Sequence, residues 1–174
     1  MSLSKERGIH FAVVFTVLAV AVFLAYREEF LGRWLEDLTA LTASASFWTL
    51  ERMGIGVEQK GTVISHAGGF AYEIYYRCTG FLPGCCLAVS ILAYPGNWRR
   101  KLIGLALGIP LVFLLNLLRL VHLFVIGVAS PEWFDFAHRY AWEGAMILAV
   151  VGLWLAWRGW VWAPSNPVKP KLAL

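Results

Sequence analysis

The sequence predicts an all-α integral membrane helix bundle of about four transmembrane helices, with an interfacial amphipathic helix and a small extracytoplasmic β hairpin. Composition is the first reason, because 59% of the 174 residues are hydrophobic and only 15% are charged. A soluble domain is usually about 45–50% apolar and about 25% charged. The other two reasons are that the apolar residues fall in long runs and that several of the nine Trp lie near the ends of these runs, as in membrane aromatic belts.

The first apolar run, residues 10–26, predicts a retained membrane anchor. It has 17 residues, which is near the short end for a helix that spans a bilayer. Ala25 and Tyr26 lead directly into Arg27, so no small-residue cleavage site follows the run. A secretory signal peptide would need such a site.

The next segment, residues 27–54, predicts an amphipathic helix on the membrane interface. Its apolar and charged residues recur with helical periodicity on two different faces. The apolar face holds Leu31, Trp34, Leu35, Leu38, Leu41 and Trp48, and the polar face holds Glu28, Glu29, Arg33, Glu36 and Asp37. The alternative is that this segment also crosses the membrane, which would move the candidate site described below to the cytoplasmic side.

Residues 57–76 predict the β hairpin. The stretches 57–65 and 70–76 are rich in β-branched and aromatic residues, and the turn-forming residues 66–69 lie between them. This hairpin is expected outside the lipid, where it leads the chain to Cys78.

Three further apolar stretches predict membrane helices. Residues 79–98 would be about 30 Å long as a helix, which is about one hydrocarbon thickness. Residues 102–128 form the longest run, and the last helix is expected to begin between Ser130 and Asp135 and to end near Trp160. The chain is therefore predicted to be a single membrane domain with an N-terminal anchor and amphipathic helix (1–56), a core (57–162) and a disordered cytoplasmic tail (163–174).

The density of basic residues predicts the orientation in the membrane. The short N-terminal segment, the turn at residues 99–101 and the C-terminal tail are dense in Lys and Arg, whereas the longer segments between them are not. Cytoplasmic loops carry such an excess. Four crossings with both ends inside satisfy this rule and place the hairpin outside.

Cys78, Arg119 and His138 are polar residues that three segments are expected to bring to one depth of the bilayer. Cys78 directly precedes a helix that descends from the outer face. Arg119 lies 18 residues beyond Lys101, or about 27 Å along a helix that rises from the inner face. His138 lies in the first turns of a helix that descends again. An ionisable group within a membrane helix is costly and is therefore a functional candidate.

These three side chains suit thiol-based acyl transfer. A thiol attacks as the thiolate, which a helix N-terminus and nearby cations favour, and Thr79 and Gly80 mark such a helix start after Cys78. A histidine at His138 suits polarising the thiol and protonating a leaving amine. Arg119 keeps its charge, so it suits stabilising an oxyanion rather than moving protons.

Neighbouring residues are candidates for supporting roles. His122 lies three residues beyond Arg119 on the same helical face and competes with His138 as the catalytic histidine. Asn116, one turn before Arg119, is expected to orient it or to bond between helices. Tyr76 is a candidate for lining a peptide groove, although interfacial packing explains it equally well.

The remaining polar residues favour structural explanations. Glu143 is expected to form an ion pair with Arg119 or Arg139, and Cys85 and Cys86 are expected to pack within the lipid. No two histidines are four residues apart, so the spacing predicts no metal site and no cofactor. The basic residues are scattered at helix ends, which argues against binding to nucleic acid.

At the candidate site the chain resembles the exosortase/archaeosortase family of membrane enzymes. Cys78-Thr79-Gly80 resembles the Cys-Ser/Thr-Gly motif that this family carries at the end of a β hairpin. Asn116 and Arg119 resemble its Asn-x-x-Arg element. His138 is similar in position to the histidine of its third element. The resemblance covers about residues 57–160, and residues 1–56 match nothing specific. The compact length and the string from Tyr76 to Phe81 suggest the short exosortase H subgroup.

This resemblance implies a membrane-embedded cysteine protease/transpeptidase at the outer face of a bacterial plasma membrane. Its partners would be exported proteins with a C-terminal sorting tail, made of a short motif, a transmembrane helix and a basic end, and the acceptor nucleophile stays open. The implied catalytic residues are Cys78, Arg119 and His138, and the supporting or substrate-binding candidates are Thr79, Gly80, Asn116, His122, Tyr76 and Glu143.

Two other functions stay open from the sequence. A non-enzymatic membrane assembly or transport subunit would use Arg119 and Glu143 as a structural ion pair. A membrane thiol-redox protein would need a second cysteine within reach of Cys78, and Cys85 lies two helical turns deeper.

Overall fold

The computed structural model describes residues 2–27 and 32–162, with the side chains of residues 8–25 and 32–161. The predicted disordered tail, and Glu28, Glu29 and Leu31 of the predicted amphipathic helix, lie outside the described residues. In chain order the elements are α1 (Ser2–Arg27), α2 (Gly32–Arg52), β1 (Val57–Lys60), β2 (Val63–His66), β3 (Ala71–Glu73), a 3-10 turn (Tyr76–Cys78), α3 (Phe81–Ala93), α4 (Trp98–Ala129), a second 3-10 turn (Pro131–Trp133), α5 (Phe134–Phe136), a π-helical turn (Ala137–Ala141) and α6 (Trp142–Trp162).

Three of the described helical segments are long and apolar enough to cross a membrane. They are Gly8–Ala25 within α1, Trp98–Ala129, and Pro131–Val161, which contains most of α6. Trp98–Ala129 has 32 residues, so it is about 48 Å long and exceeds a hydrocarbon core of about 30 Å. Together with the small sheet, these helices confirm the predicted fold class.

The helix α3 is shorter than the sequence predicted. A helix over residues 79–98 was expected, but α3 has only 13 residues and is about 20 Å long. It ends because Tyr94 is extended, with φ −71° and ψ 133°. The next residue is Pro95, and a proline disfavours the helical conformation of the residue before it. The stretch predicted as a further membrane helix is therefore a short apolar helix that ends at an extended Tyr94.

Neighbouring long helices run antiparallel. The bundle has one end that is rich in basic residues and an opposite end that carries Cys78. At the basic end, which holds Arg100, the Trp157 indole N–H of α6 donates to the Arg100 carbonyl oxygen (2.9 Å). Phe11, in the first half of α1, contacts the ring of Tyr94 just after α3, with ring centroids 5.9 Å apart. The starts of α1 and α4 and the ends of α3 and α6 therefore lie together. The opposite end is called the Cys78 end below.

The helix α2 packs at the Cys78 end. Its buried residues recur every three or four positions and are Leu35, Thr39, Ala43, Ser46 and Leu50. One buried cluster joins α2 to the sheet region and to α4, and its members are Ala43, Leu50, Ile64, Ile74, Leu120, Val121 and Phe124. The opposite face of α2 exposes Trp34, Leu41 and Trp48. α2 is not among the described helices that are apolar enough to span a membrane.

The predicted hairpin is part of a three-stranded antiparallel sheet in the order β1-β2-β3. The turn predicted at residues 66–69 is confirmed, and the His66 N–H closes it by donating to the Phe70 carbonyl oxygen (2.8 Å). The prediction of a single strand over residues 57–65 is wrong. Gly61 has φ +61° and turns the chain between β1 and β2, a conformation that glycine adopts at little cost.

Close contact at Gly127 seats the sheet against α4. The ring of Phe70 lies on this glycine, where a Cβ atom would overlap the ring. Phe70 also meets the rings of Phe124 and Phe134 edge-on, each with centroids 5.5 Å apart. Phe70 therefore ties the sheet both to α4 and to the segment that carries His138.

We expect Gly127→Ala to destabilise the protein, because the added methyl group forces the Phe70 ring away from α4. Overpacking of this kind costs about 1–3 kcal/mol, and it should appear as a lower Tm of the detergent-solubilised protein. The matched control is Gly152→Ala in α6, where a Cβ would meet nothing within 4 Å and helix propensity improves by about 1 kcal/mol. An equal or higher Tm for both variants would contradict the packing assignment.

Candidate active site

Local hydrogen bonds hold the turn that carries Cys78. The residue ends the 3-10 turn after β3, and its N–H donates to the Tyr75 carbonyl oxygen (2.8 Å). The Thr79 hydroxyl donates to the Tyr76 carbonyl oxygen (2.8 Å), and Thr79 is fully buried. The Cys78 thiol is therefore presented by a fixed turn between the sheet and α3.

Gly80 and Asn116 join this turn to α4. Gly80 has φ +77°, and a Cβ at this position would lie 3.0 Å from the Asn116 Cβ. Glycine is therefore favoured both by the backbone conformation and by the close approach of α4. Asn116 is buried, and its Nδ2 donates to the Cys78 carbonyl oxygen (2.7 Å). The structure thus brings the first two predicted motifs into direct contact.

Arg119 and His138 approach each other at the same end of the bundle. Arg119 lies one turn beyond Asn116, and its Nε is buried with no hydrogen-bond partner among the described residues. His138 is half-buried in the π-helical turn Ala137–Ala141 and stacks on the Phe134 ring, with centroids 5.8 Å apart. The charges of Arg119 and His138 interact. Short π-helical turns inside α-helices are frequent at functional sites.

The competing histidine, His122, has a different environment. It is exposed, and its Nδ1 accepts a hydrogen bond from the Trp142 indole N–H (3.0 Å). The two rings meet edge-on with centroids 5.5 Å apart. His122 therefore joins α4 to α6. This contact favours a structural role for His122 and leaves His138 as the better candidate for catalysis.

The predicted ion pair of Glu143 with Arg119 or Arg139 is not formed. Among the described side chains the ion pair present is Arg139 with Asp135, at 3.5 Å. These two residues are four positions apart on one helical face, which brings their side chains together. Glu143 is exposed and acts on His138 through its charge. The alternative function that depended on an Arg119–Glu143 pair loses its structural basis.

The other two cysteines lie on α3, away from these contacts, whereas Tyr76 begins the turn that ends at Cys78. Cys85 is half-buried and Cys86 is exposed on α3, and both thiols are free. The phenol oxygen of Tyr76 accepts a hydrogen bond from Arg77 Nε (3.3 Å) at the surface. Among the described residues, no group of three or more His, Cys, Asp or Glu could hold a metal ion.

Tyr72 is a site neighbour that the sequence reasoning missed. Its hydroxyl oxygen is one of three buried side-chain polar atoms without a hydrogen-bond partner among the described residues, and the other two are Asn116 Oδ1 and Arg119 Nε. The Ser46 hydroxyl lies close to Tyr72 but does not reach hydrogen-bond geometry. Burial raises the pKa of Tyr72, so the phenol stays protonated. The sequence could have indicated Tyr72, because it is a tyrosine on the inward face of a strand, where a buried hydroxyl needs a hydrogen-bond partner.

A cleft opens beside the turn that carries Cys78. It has a volume of about 1090 Å³ and is lined by residues of α1, α2 and the sheet, and by Tyr75, Tyr76 and Arg77 of the turn. Its charged lining residues include Arg33, Glu36 and Glu73. The cleft therefore offers a mixed polar and aromatic surface beside the residues that precede Cys78 in the chain.

Comparison with known families decides the class of this protein. The model of the transmembrane exosortase (EpsH) family matches residues 5–157, which is most of the chain. The chain belongs to the transmembrane exosortase family. The match confirms the resemblance and extends it to the N-terminal segment, where sequence reasoning found nothing specific. No curated protein and no solved structure matches the chain significantly. Membership in the exosortase family implies a multi-pass membrane transpeptidase.

We expect Asn116→Ala to loosen the turn that carries Cys78, because the Cys78 carbonyl oxygen loses its donor. Loss of a buried hydrogen-bond partner costs about 1–3 kcal/mol, so the Tm should fall. Alkylation of Cys78 by a maleimide, in a Cys85→Ala/Cys86→Ala background, should also become faster.

The control for this experiment is Asn97→Ala at the basic end, which removes the cap that Asn97 Oδ1 provides to the Arg99 N–H (2.9 Å). A lost cap costs about 1 kcal/mol, so this variant should also lower the Tm while leaving the alkylation rate of Cys78 unchanged. An unchanged alkylation rate in Asn116→Ala would contradict the positioning role.

Proposed function

We propose that this exosortase is a cysteine protease/transpeptidase that cleaves the C-terminal sorting tails of exported proteins at the outer face of a bacterial plasma membrane. Family membership supports the reaction class and the kind of substrate. The observation that carries the residue assignment is the hydrogen bond from Asn116 to the Cys78 carbonyl oxygen. This bond seats the thiol-bearing turn one helical turn from Arg119.

Cys78 is the proposed nucleophile. Its sulfur, as the thiolate, adds to a substrate backbone carbonyl carbon just outside the substrate's transmembrane helix. The C–N bond then breaks, so that a thioester remains on Cys78 and the tail leaves as an amine. Water or an acceptor amine attacks the thioester and restores the free thiol.

His138 is proposed to transfer the proton in this reaction, and Arg119 is proposed to stabilise the developing negative charge. His138 takes the proton of the Cys78 thiol and delivers it to the leaving amine. Arg119 stabilises the negative charge that develops on the substrate oxygen. Two observations support this division: Arg119 Nε is buried without a hydrogen-bond partner among the described residues, and its charge reaches the His138 imidazole.

The cleft at Tyr75, Tyr76 and Arg77 supports a route for the substrate. Its volume of about 1090 Å³ suits an extended peptide segment, and its charged lining suits a polar recognition motif. Because the substrate helix and the enzyme share one bilayer, their encounter is nearly intramolecular, which lowers the entropic barrier.

The proposed orientation follows from the basic end of the bundle. Arg99, Arg100 and Lys101 lie together at the start of α4, and short loops rich in such residues stay in the cytoplasm. The Cys78 end then faces outward, where exported substrates emerge.

We expect Cys78→Ala and Cys78→Ser to abolish processing, because neither side chain forms a thioester. The measurement is the size of a tagged tail-bearing substrate on a gel, in cells that make normal amounts of each variant. Cys86→Ala on α3 is the matched control, since it removes a different thiol and should leave processing intact. Normal processing by Cys78→Ala would exclude the proposed function.

We expect His138→Ala to abolish turnover and His122→Ala to retain it, because His138 interacts with the charge of Arg119 whereas His122 is bonded to Trp142. Loss of a general acid–base typically lowers the rate about 10²–10⁴-fold. Processing rates of the two variants are compared at equal protein levels. Loss confined to His122→Ala would reverse the assignment of the histidine.

A further inference from the structure

The buried hydroxyl of Tyr72 lacks an explanation in packing alone. Its oxygen has no hydrogen-bond partner among the described residues. The Ser46 hydroxyl nearby uses its own proton on the Thr42 carbonyl oxygen (2.8 Å), so it does not donate to Tyr72. Burial of an unpaired hydroxyl lowers stability. A phenylalanine would fill the same space without that loss, so the hydroxyl calls for a role outside folding.

The ring of Tyr72 is held firmly at the Cys78 end. It contacts the ring of Phe124 on α4, with centroids 5.4 Å apart, and stacks with the ring of Phe70, with centroids 6.4 Å apart. Tyr72 and Cys78 pack against the same buried cluster, and their side chains are close enough to interact electrostatically. The hydroxyl is therefore a preorganised donor near the thiol.

The helical positions on α4 place this donor opposite Arg119. At 3.6 residues per turn, Phe124 lies about 80° to one side of Asn116 and Arg119 lies about 60° to the other side. Cys78 is bonded to Asn116, and Tyr72 contacts Phe124. Viewed down the α4 axis, the direction of the thiol-bearing turn therefore falls between the directions of Tyr72 and Arg119. Both carry a buried donor that lacks an acceptor among the described residues, Tyr72 Oη and Arg119 Nε.

We propose that Tyr72 is a catalytic residue whose hydroxyl, together with Arg119, donates a hydrogen bond to the substrate oxygen during acyl transfer. The proposal rests on the function proposed above. When the Cys78 sulfur bonds to the carbonyl carbon, the π electrons of the C=O bond move onto the oxygen, which accepts hydrogen bonds from both donors. When the C–N bond breaks, the electron pair returns to the C=O bond, the nitrogen takes its proton from His138, and the oxygen retains only the weaker bonds of a thioester carbonyl. Tyr72 itself transfers no proton.

Donors fixed in advance, with no acceptor in the free protein, are what an oxyanion site requires. Such donors cost no reorganisation when charge develops, and water is excluded around them. The exclusion of water is consistent with the burial of both donor atoms. A substrate carbonyl oxygen would supply the acceptor that the free protein lacks.

The test is the substitution Tyr72→Phe, which removes one oxygen atom and keeps the ring. We expect the processing rate to fall about 100-fold or more, as for the loss of an oxyanion donor. We expect the Tm of the solubilised protein to stay the same or rise, because an unpaired buried hydroxyl has been removed. Maleimide alkylation of Cys78, in the Cys85→Ala/Cys86→Ala background, should keep its parental rate, since the nucleophile is untouched.

Tyr140→Phe is the matched control, because the Tyr140 side chain is 69% exposed and takes no part in the proposed site. It should process substrate at the parental rate.

Each contrary result has a distinct meaning. Parental processing by Tyr72→Phe, with Cys78→Ala inactive, would overturn the assignment of Tyr72 and leave the proposed function standing. A fall in processing accompanied by a lower Tm would assign Tyr72 a structural role instead. A parallel fall in alkylation would show that Tyr72 activates the thiol, which also overturns the oxyanion assignment. Normal processing by Cys78→Ala would remove the proposed function itself.

Discussion

The structure at the Cys78 end depends on the hydrogen bond from Asn116 Nδ2 to the Cys78 carbonyl oxygen, 2.7 Å long. The bond requires a close approach between the turn and α4, and Gly80 permits that approach because it has no side chain. It also explains why an amide is present in the buried face of an apolar helix, where an unpaired polar group would be costly. This contact holds the backbone of Cys78 against the α4 residue that lies one helical turn before Arg119.

Unpaired polar atoms are concentrated at the same place. The three buried side-chain polar atoms without a hydrogen-bond partner among the described residues belong to Tyr72, Asn116 and Arg119. Native proteins carry few such atoms, and each calls for an explanation. Here the unpaired polar atoms lower the stability of the folded chain in the region of Cys78. This agrees with a site in which the substrate supplies the missing hydrogen-bond partners. The other buried side-chain nitrogen and oxygen atoms of the described residues have hydrogen-bond partners.

The small sheet and α2 act as a platform for this site. Ile64 and Ile74 bury the sheet against α2 and α4, and Phe70 joins it to Phe134, on which His138 stacks. The chain then passes from β3 through one 3-10 turn to Cys78. Elements outside the spanning helices thereby set the position of the thiol, while the helices supply Asn116 and Arg119.

Local chemistry along the chain was enough to predict the membrane fold, the turn at residues 66–69 and the candidate Cys78, Arg119 and His138, because composition, periodicity and motif order are properties of neighbouring residues. It overestimated the length of α3, where Pro95 ends the helix, and it missed the turn at Gly61. The partner of Asn116, the electrostatic effect of Arg119 on His138, and the unpaired hydroxyl of Tyr72 came only from the folded chain. These features involve residues that are far apart in the sequence. Which of the possible partners meet is determined by how the helices pack.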